Sequence, residues 1–198
     1  TLVNGRGEVL SFGGQVMKNV AGYDVSRVLA GSMGTLGVIA EVSLKVLPQP
    51  TASATLRFEL DPSKALVQMH RWGGQPLPIT ATAWWEGMLV VRLAGARAAV
   101  AAAQQQLGGE LISLASAEAF WRGLRDHSDE YFVGAAKAAA SDTGSVALWR
   151  LSVPQTAVPI DLPGEQLIEW CGAQRWLCIA APASQVRAAV QQAGGHAT

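Results

Sequence analysis

Charge is scarce in this chain. Only 15% of its 198 residues are charged, 15 basic against 15 acidic, for a formal net charge of zero. An average soluble domain carries roughly 25%. There is no basic stripe and no block of like charge, which argues against nucleic acid as a partner. Cysteine is almost missing too. Cys171 and Cys178 have neither a zinc-ligand spacing nor the pattern of a disulfide framework. Set among apolar residues, they read as buried free thiols in a reducing compartment. No apolar run reaches the ~18 residues of a membrane span. The histidines His70, His127 and His196 form no metal-ligand spacing with one another or with an acidic residue. Neither common nucleotide loop is present: no Gly-Lys-Ser/Thr follows a glycine loop, and no GxGxxG opens a helix.

What is abundant is apolar. Hydrophobic residues make up 49% of the chain, and seven of them are tryptophan. With so few charges, part of the surface is expected to face another protein segment. The chain opens directly on "TLVNGRGEVL" and closes on "AGGHAT" with no terminal element in the pattern, so it reads as an internal piece of a longer protein.

Local signals divide the chain at Pro48 and Pro50. Before them, "TLV", "NGRG" and "EVLSF" predict a hairpin. "DVSRVLAGS" predicts a short helix capped by Asp24, with Val25, Val28 and Leu29 on its apolar side and Gly31 as its stop. "TLGVIAEVSLKVLP" predicts a long strand, with Val42, Leu44 and Val46 alternating against Glu41, Ser43 and Lys45. After the prolines, strands alternate with helices. "SATLRFEL" is a strand, and "DPSKALVQMHRW" a helix with Asp61 as cap and Pro62 in its first turn. "ITATAWWEG" and "MLVVRLAG" form a hairpin about Glu86-Gly87. "ARAAVAAAQQQLGG" is a helix ended by Gly108 and Gly109. "ELISLA" is a short strand and "AEAFWRGLRDHS" a helix. "SVALWRLSVP" is a strand, "GEQLIEWCGAQRWLCIAAP" two strands turning near Gly172, and "ASQVRAAVQQAGG" a last helix. This order predicts an antiparallel sheet with helices on one face, an α+β arrangement.

One loop stands out, Gly31-Ser32-Met33-Gly34-Thr35-Leu36-Gly37. Glycines between a helix end and a strand start let a ligand approach the backbone. Successive N–H groups in such a turn make a nest for phosphate oxygens, and Ser32 and Thr35 add hydroxyls. On spacing alone, a structural turn and a ligand loop both remain open.

The flanks bear on that choice. The block from Gly13 to Pro50 contains Asn19, Gly22-Tyr23-Asp24, the Gly31–Ile39 loop and strand, and the tail Glu41-Val42-Ser43-Leu44-Lys45-Val46-Leu47-Pro48. It resembles the flavin-binding domain of the vanillyl-alcohol-oxidase and D-lactate-dehydrogenase type flavoproteins (the PCMH type). Within that family the chain is most similar to the smaller flavin-domain subunits of bacterial glycolate oxidases. The later blocks "ALWRLSVP", "LPGEQLIEW" and "GGHAT" extend that resemblance to its end.

The resemblance implies residues 1–50 as the second half of a FAD-binding domain. Residues 51–198 would be a ferredoxin-like α/β cap, incomplete at its end. It implies FAD as cofactor. Gly31, Ser32, Gly34 and Thr35 would flank the pyrophosphate and ribityl chain, with Gly37 in the same loop. Val38 and Ile39 would present backbone to the adenine side, and Gly22 and Tyr23 would sit near the flavin ring. The implied partners are a larger flavin subunit, an iron–sulfur subunit and a small 2-hydroxy acid. The implied setting is the cytoplasm, with attachment to the inner membrane face through partner subunits. The main pyrophosphate loop of such proteins lies upstream of the segment matched here. A non-catalytic or electron-relay subunit, or a stand-alone oxidase of another hydroxy acid, are the competing readings.

Oxidising a 2-hydroxy acid needs a base near the hydroxyl and a cation for the carboxylate. His196, after two glycines, is the candidate for the site, while His70 and His127 read as surface groups on helices. Arg92, Arg150 and Arg175 lie in strands. Each has the fork geometry to bind a carboxylate, and each reads more simply as an exposed strand or interface residue. The tryptophans read as core and subunit interface.

Overall fold

A computed structural model of the chain describes residues 1–13, 24–141 and 146–198. It divides into two compact units, Thr1–Pro48 and Gln49–Thr198.

In the first unit, β1 (Leu2–Val3) is the centre of a three-stranded antiparallel sheet. It pairs with β2 (Val9–Leu10) on one side and β3 (Val38–Ile39) on the other. The predicted hairpin is present. The Asn4 side chain holds its turn by accepting from the backbone N–H of Arg6 and Glu8. The predicted helix is α1 (Val25–Leu29), and the Asp24 carboxylate caps it by accepting from Ser26 N–H at 3.2 Å. Its apolar side is not buried, with Val25 and Val28 both exposed.

The long strand predicted after the glycine loop shrinks to two residues. Val38 and Ile39 pair because Val3 and Leu2 lie opposite. The N–H groups of Ala40 and Glu41 both reach Thr1 O. From Val42 onward no partner strand lies alongside among the described residues. Alternation predicts a strand only where something supplies the other half of the ladder. Here Val42, Leu44, Val46 and Leu47 stand 62–87% exposed.

The second unit is built on an eight-stranded sheet, and every pairing in it is antiparallel. It contains β4 (Ala52–Glu59), β5 (Ile79–Trp85), β6 (Met88–Gly95), β7 (Glu110–Leu111), β8 (Ala147–Ser152), β9 (Glu165–Glu169), β10 (Gln174–Ile179) and β11 (His196–Ala197). Their spatial order is β11-β8-β10-β9-β5-β6-β4-β7. The mixed α/β composition and the large antiparallel sheet agree with the α+β expectation. Glu86 and Gly87 turn β5 into β6 with φ of 46° and 79°, the left-handed pair that matches strand twist in a two-residue hairpin.

Helices cover both faces, not one as predicted. On the first face, α2 (Pro62–Gly73) and α3 (Arg97–Leu107) bury Leu66, Met69, Trp72 and Val100 against Leu56, Leu89, Val91 and Leu93. Asp61 caps α2 by accepting from Lys64 N–H at 2.9 Å, and Pro62 follows at the first turn. Further along, α6 (Ala183–Gln192) buries Val186 and Val190 against Leu151, Leu177 and Ile179. On the opposite face, α4 (Leu114–Asp126) and α5 (Glu130–Ala139) place Leu124, Tyr131 and Phe132 against Ala83 and Leu167. The sequence pattern does not assign α5. It does not assign β11 either, which pairs with β8 at an end of the chain where the pattern holds no terminal element.

Candidate functional site

The glycine loop of the first unit is a run of tight turns. Gly31, Met33, Gly34 and Gly37 all have positive φ, at 80°, 50°, 79° and 141°. Gly31 and Gly34 face open space, with nothing within 4 Å of where a Cβ would sit. Gly37 is different in kind. A Cβ there would come 2.5 Å from Val3 O, so glycine is needed for β3 to lie against β1. The N–H groups of Ser32, Thr35 and Gly37 close turns onto Leu29 O, Ser32 O and Gly34 O. Among the described residues, those of Met33, Gly34 and Leu36 meet no backbone acceptor. The Thr35 hydroxyl donates to Ser32 O at 2.7 Å, so its proton fixes the turn, not a ligand. The loop thus keeps backbone donors beside open space at Gly31 and Gly34, which leaves room for a phosphate-bearing group. Val38 and Ile39 are side by side on β3, exposed by 69% and 47%. Gly22 and Tyr23 lie outside the described residues.

The second unit carries a wide groove of about 1370 Å³. Strand alternation puts Thr55 of β4, Arg92 of β6 and Ala81 of β5 in register across its floor. The helix α4 forms a wall, contributing Glu118, Trp121, Arg122 and Arg125. Trp121 donates its indole N–H to the Thr55 hydroxyl at 3.0 Å. The Arg92 guanidinium lies 5.4 Å from the centre of the Trp121 ring, and its Nε donates to Thr80 Oγ1 at 3.0 Å. Thr80 sits at an irregularity in β5, where the register against β6 shifts between Ile79 and Ala81. The acidic side chains of the groove are partly engaged, since Glu169 accepts from the Trp176 indole at 2.7 Å and from Gln174. Arg125 is paired with Asp126 at 2.7 Å.

The structure separates the three arginines. Arg92 is half-buried in the groove. Arg150 is exposed on β8. Arg175 corrects the expectation of an exposed or interface residue, because it is fully buried. Its guanidinium donates to Gly172 O at 3.0 Å, Val158 O at 2.7 Å and Ala157 O. Burial pushes its pKa down to about 10. Three carbonyl acceptors offset the loss of water, which makes Arg175 a brace for the loop before β9.

The histidines also separate. His70 is on α2 and exposed. His127 lines the groove as the left-handed C-cap of α4, stacked on Phe132 at 4.1 Å and edge-on to Trp176 at 5.0 Å. His196 is exposed on β11 at the edge of the sheet, and it does not line the groove. Most tryptophans are core or tied by hydrogen bonds, but Trp170 stands 67% exposed at the groove with φ of 51°. The groove's own residues, Thr80 and Trp121 above all, escape sequence reasoning. Thr80 looks like one more position in an alternating strand, and Trp121 like one more apolar residue on a helix face. Burial pushes the Cys178 thiol and the Tyr131 phenol above their ordinary values, so neither is set up as a nucleophile. Among the described residues no cluster of His, Cys, Asp or Glu could hold a metal ion, and no helix is long and apolar enough to cross a membrane.

No family model matches the chain. Individual proteins do. Over 197 residues, 100% of this chain, it is 45% identical to glycolate oxidase subunit GlcE of Escherichia coli (strain K12), covering 52% of that protein. A shorter stretch of 55 residues is 42% identical to glycolate oxidase subunit GlcD of Bacillus subtilis (strain 168), covering 28% of this chain and 12% of that one. Another of 56 residues is 41% identical to a D-lactate dehydrogenase of Anaerostipes hadrus, covering 28% and 12%. The chain therefore spans about half the length of the relative it matches throughout. The resemblance to a glycolate oxidase subunit drawn from the Gly13–Pro50 block extends across the whole chain.

Proposed function

We propose that this chain is part of an FAD-binding subunit of a glycolate, or more broadly 2-hydroxy-acid, oxidase complex. The observation that carries the reading is the 45% identity to GlcE along the entire chain. On this reading residues 1–50 supply the downstream half of a PCMH-type FAD domain, and residues 51–198 its ferredoxin-like cap. A larger flavin subunit and an iron–sulfur subunit are the partners. The complex would work in the cytoplasm, held to the inner membrane face through those partners.

The loop fits the cofactor in kind. Backbone donors around Gly31, Ser32, Gly34 and Thr35 would face the pyrophosphate and ribityl chain, with Gly37, Val38 and Ile39 leading toward the adenine. Gly22 and Tyr23 would lie near the ring. When bound, FAD supplies the hydride acceptor, its N5, and a carrier for onward electron transfer. The chain's own share is to bind and orient. Glycine at positions 31 and 34 keeps the approach open, and the groove of the cap supplies fixed polar and aromatic groups.

A flavin absorbance spectrum of the full-length subunit, with and without glycolate, tests this. Bound FAD that bleaches on adding glycolate is the expected result. Bound FAD that stays oxidised would make the subunit an electron relay, and a subunit that purifies without FAD would make it a scaffold.

A further inference from the structure

We propose that Arg92 is a carboxylate-recognition group, taking the planar carboxylate of a small 2-hydroxy acid on its two Nη groups. Thr80 and Trp121 act as its positioning residues. The idea rests on the reading of the chain as part of a hydroxy-acid oxidase, but it is carried by the groove's geometry.

Two neighbours on different elements, Thr80 and Trp121, fix this one side chain. Its Nε is committed to Thr80 Oγ1 at 3.0 Å, and the same hydroxyl is 3.3 Å from Arg92 O, so Thr80 clamps both ends of the residue. Thr80 is available for this because β5 is irregular there, and such irregularities re-aim side chains beside binding sites. Trp121 roofs the guanidinium at 5.4 Å and is itself pinned by its bond to Thr55. With Nε taken and one face covered, what remains is the Nη edge. Among the described residues that edge meets no carboxylate or carbonyl, although Glu118 and Glu169 share the groove.

A half-buried guanidinium with a fixed, unanswered two-pronged edge matches a carboxylate in shape as well as charge. An ammonium on a flexible stem does not, so lysine is a poor substitute. The aromatic roof also favours a small ligand, because it closes one side of the approach.

Equilibrium dialysis of radiolabelled glycolate against the full-length subunit tests the proposal, with flavin absorbance and melting temperature recorded on the same samples. Arg92→Gln is expected to weaken binding at least tenfold, and Arg92→Lys and Thr80→Ala several-fold, with flavin content unchanged. Arg92→Lys keeps the test decisive should the glutamine variant fold poorly. Wild-type protein that binds no glycolate, or Arg92 variants that bind it as well as wild type, would overturn the proposal. Arg92-dependent glycolate binding in a subunit that carries no flavin would support it while overturning the flavin reading.

Discussion

The indole N–H of Trp121 donates to the hydroxyl of Thr55 at 3.0 Å, tying α4 to a strand 66 residues earlier in the chain. Thr55 is 4% exposed, so water cannot easily replace the bond. Trp121→Phe keeps most of the ring and removes the donor. It is expected to cost about 1 kcal/mol in urea unfolding. Thr55→Val should cost a similar amount, and the double variant less than the sum by about 0.5 kcal/mol or more. Additive losses would mean that the bond contributes nothing.

Arg175 gives the largest expected effect. Arg175→Met removes three bonds to carbonyls, of which Gly172 O belongs to a buried residue and is left without this partner. Loss of the buried charge returns part of that cost, so the net destabilisation should be about 3 kcal/mol. It would be read as a lower urea midpoint at unchanged slope.

Two glycines should respond in opposite directions. Gly134 lies inside α5 with nothing within 4 Å of the place a methyl group would take. Gly134→Ala should therefore stabilise the chain by up to about 1 kcal/mol. At Gly195 a Cβ would overlap Ser152 O and come 2.7 Å from Val153 Cγ1. Gly195→Ala should push β11 off β8. Hydrogen exchange would show faster loss of protection at the amides of Arg150 and Thr198, which bond each other's carbonyls at 2.8 and 3.0 Å.

These contrasts show what is legible in the sequence. Asp61-Pro62, Glu86-Gly87 and Gly108-Gly109 are readable because a cap, a turn or a stop acts on its own few residues. Arg175 is not, because its partners Ala157 and Val158 lie in a loop that no spacing connects to it. Nor is the pairing of Val38 and Ile39, since it depends on Val3 and Leu2 lying opposite them. The helix α5 hides at Asp129, whose role as a cap shows only once its carboxylate accepts from Tyr131 N–H at 3.1 Å. In the site, the glycine loop is visible as a motif. The Thr80–Arg92–Trp121 set is not, because it joins three elements through side chains alone.

Acid should weaken the cap of α2. The backbone N–H of Lys64 bonds the Asp61 carboxylate, and the nearby ammonium adds to it, holding its pKa below the ordinary 3.8. Its stabilisation is then fully present above 3.8 and is lost as pH falls through the lower folded-state value. The melting temperature gap between wild type and Asp61→Ala should be constant from pH ~7 down to pH ~5 and close below the ordinary carboxylate value. A gap unchanged at the acid end would show that the ionised form is not what caps the helix.

Gly34→Asp tests the loop. Nothing crowds position 34, so the fold should lose only about 1 kcal/mol from the positive φ of 79°. A carboxylate there would repel a pyrophosphate. The full-length variant is expected to purify with much less flavin at nearly the wild-type melting temperature. Full flavin content would remove the loop from the site.

The exposed side chains of Val42, Leu44, Val46 and Leu47 have a practical consequence. Apolar side chains exposed at alternate positions, as at Val42, Leu44 and Val46, favour contact with a neighbouring molecule. Raising the concentration should then draw chains together through these side chains. The tendency to self-associate then becomes a gauge of how far those side chains are exposed in solution.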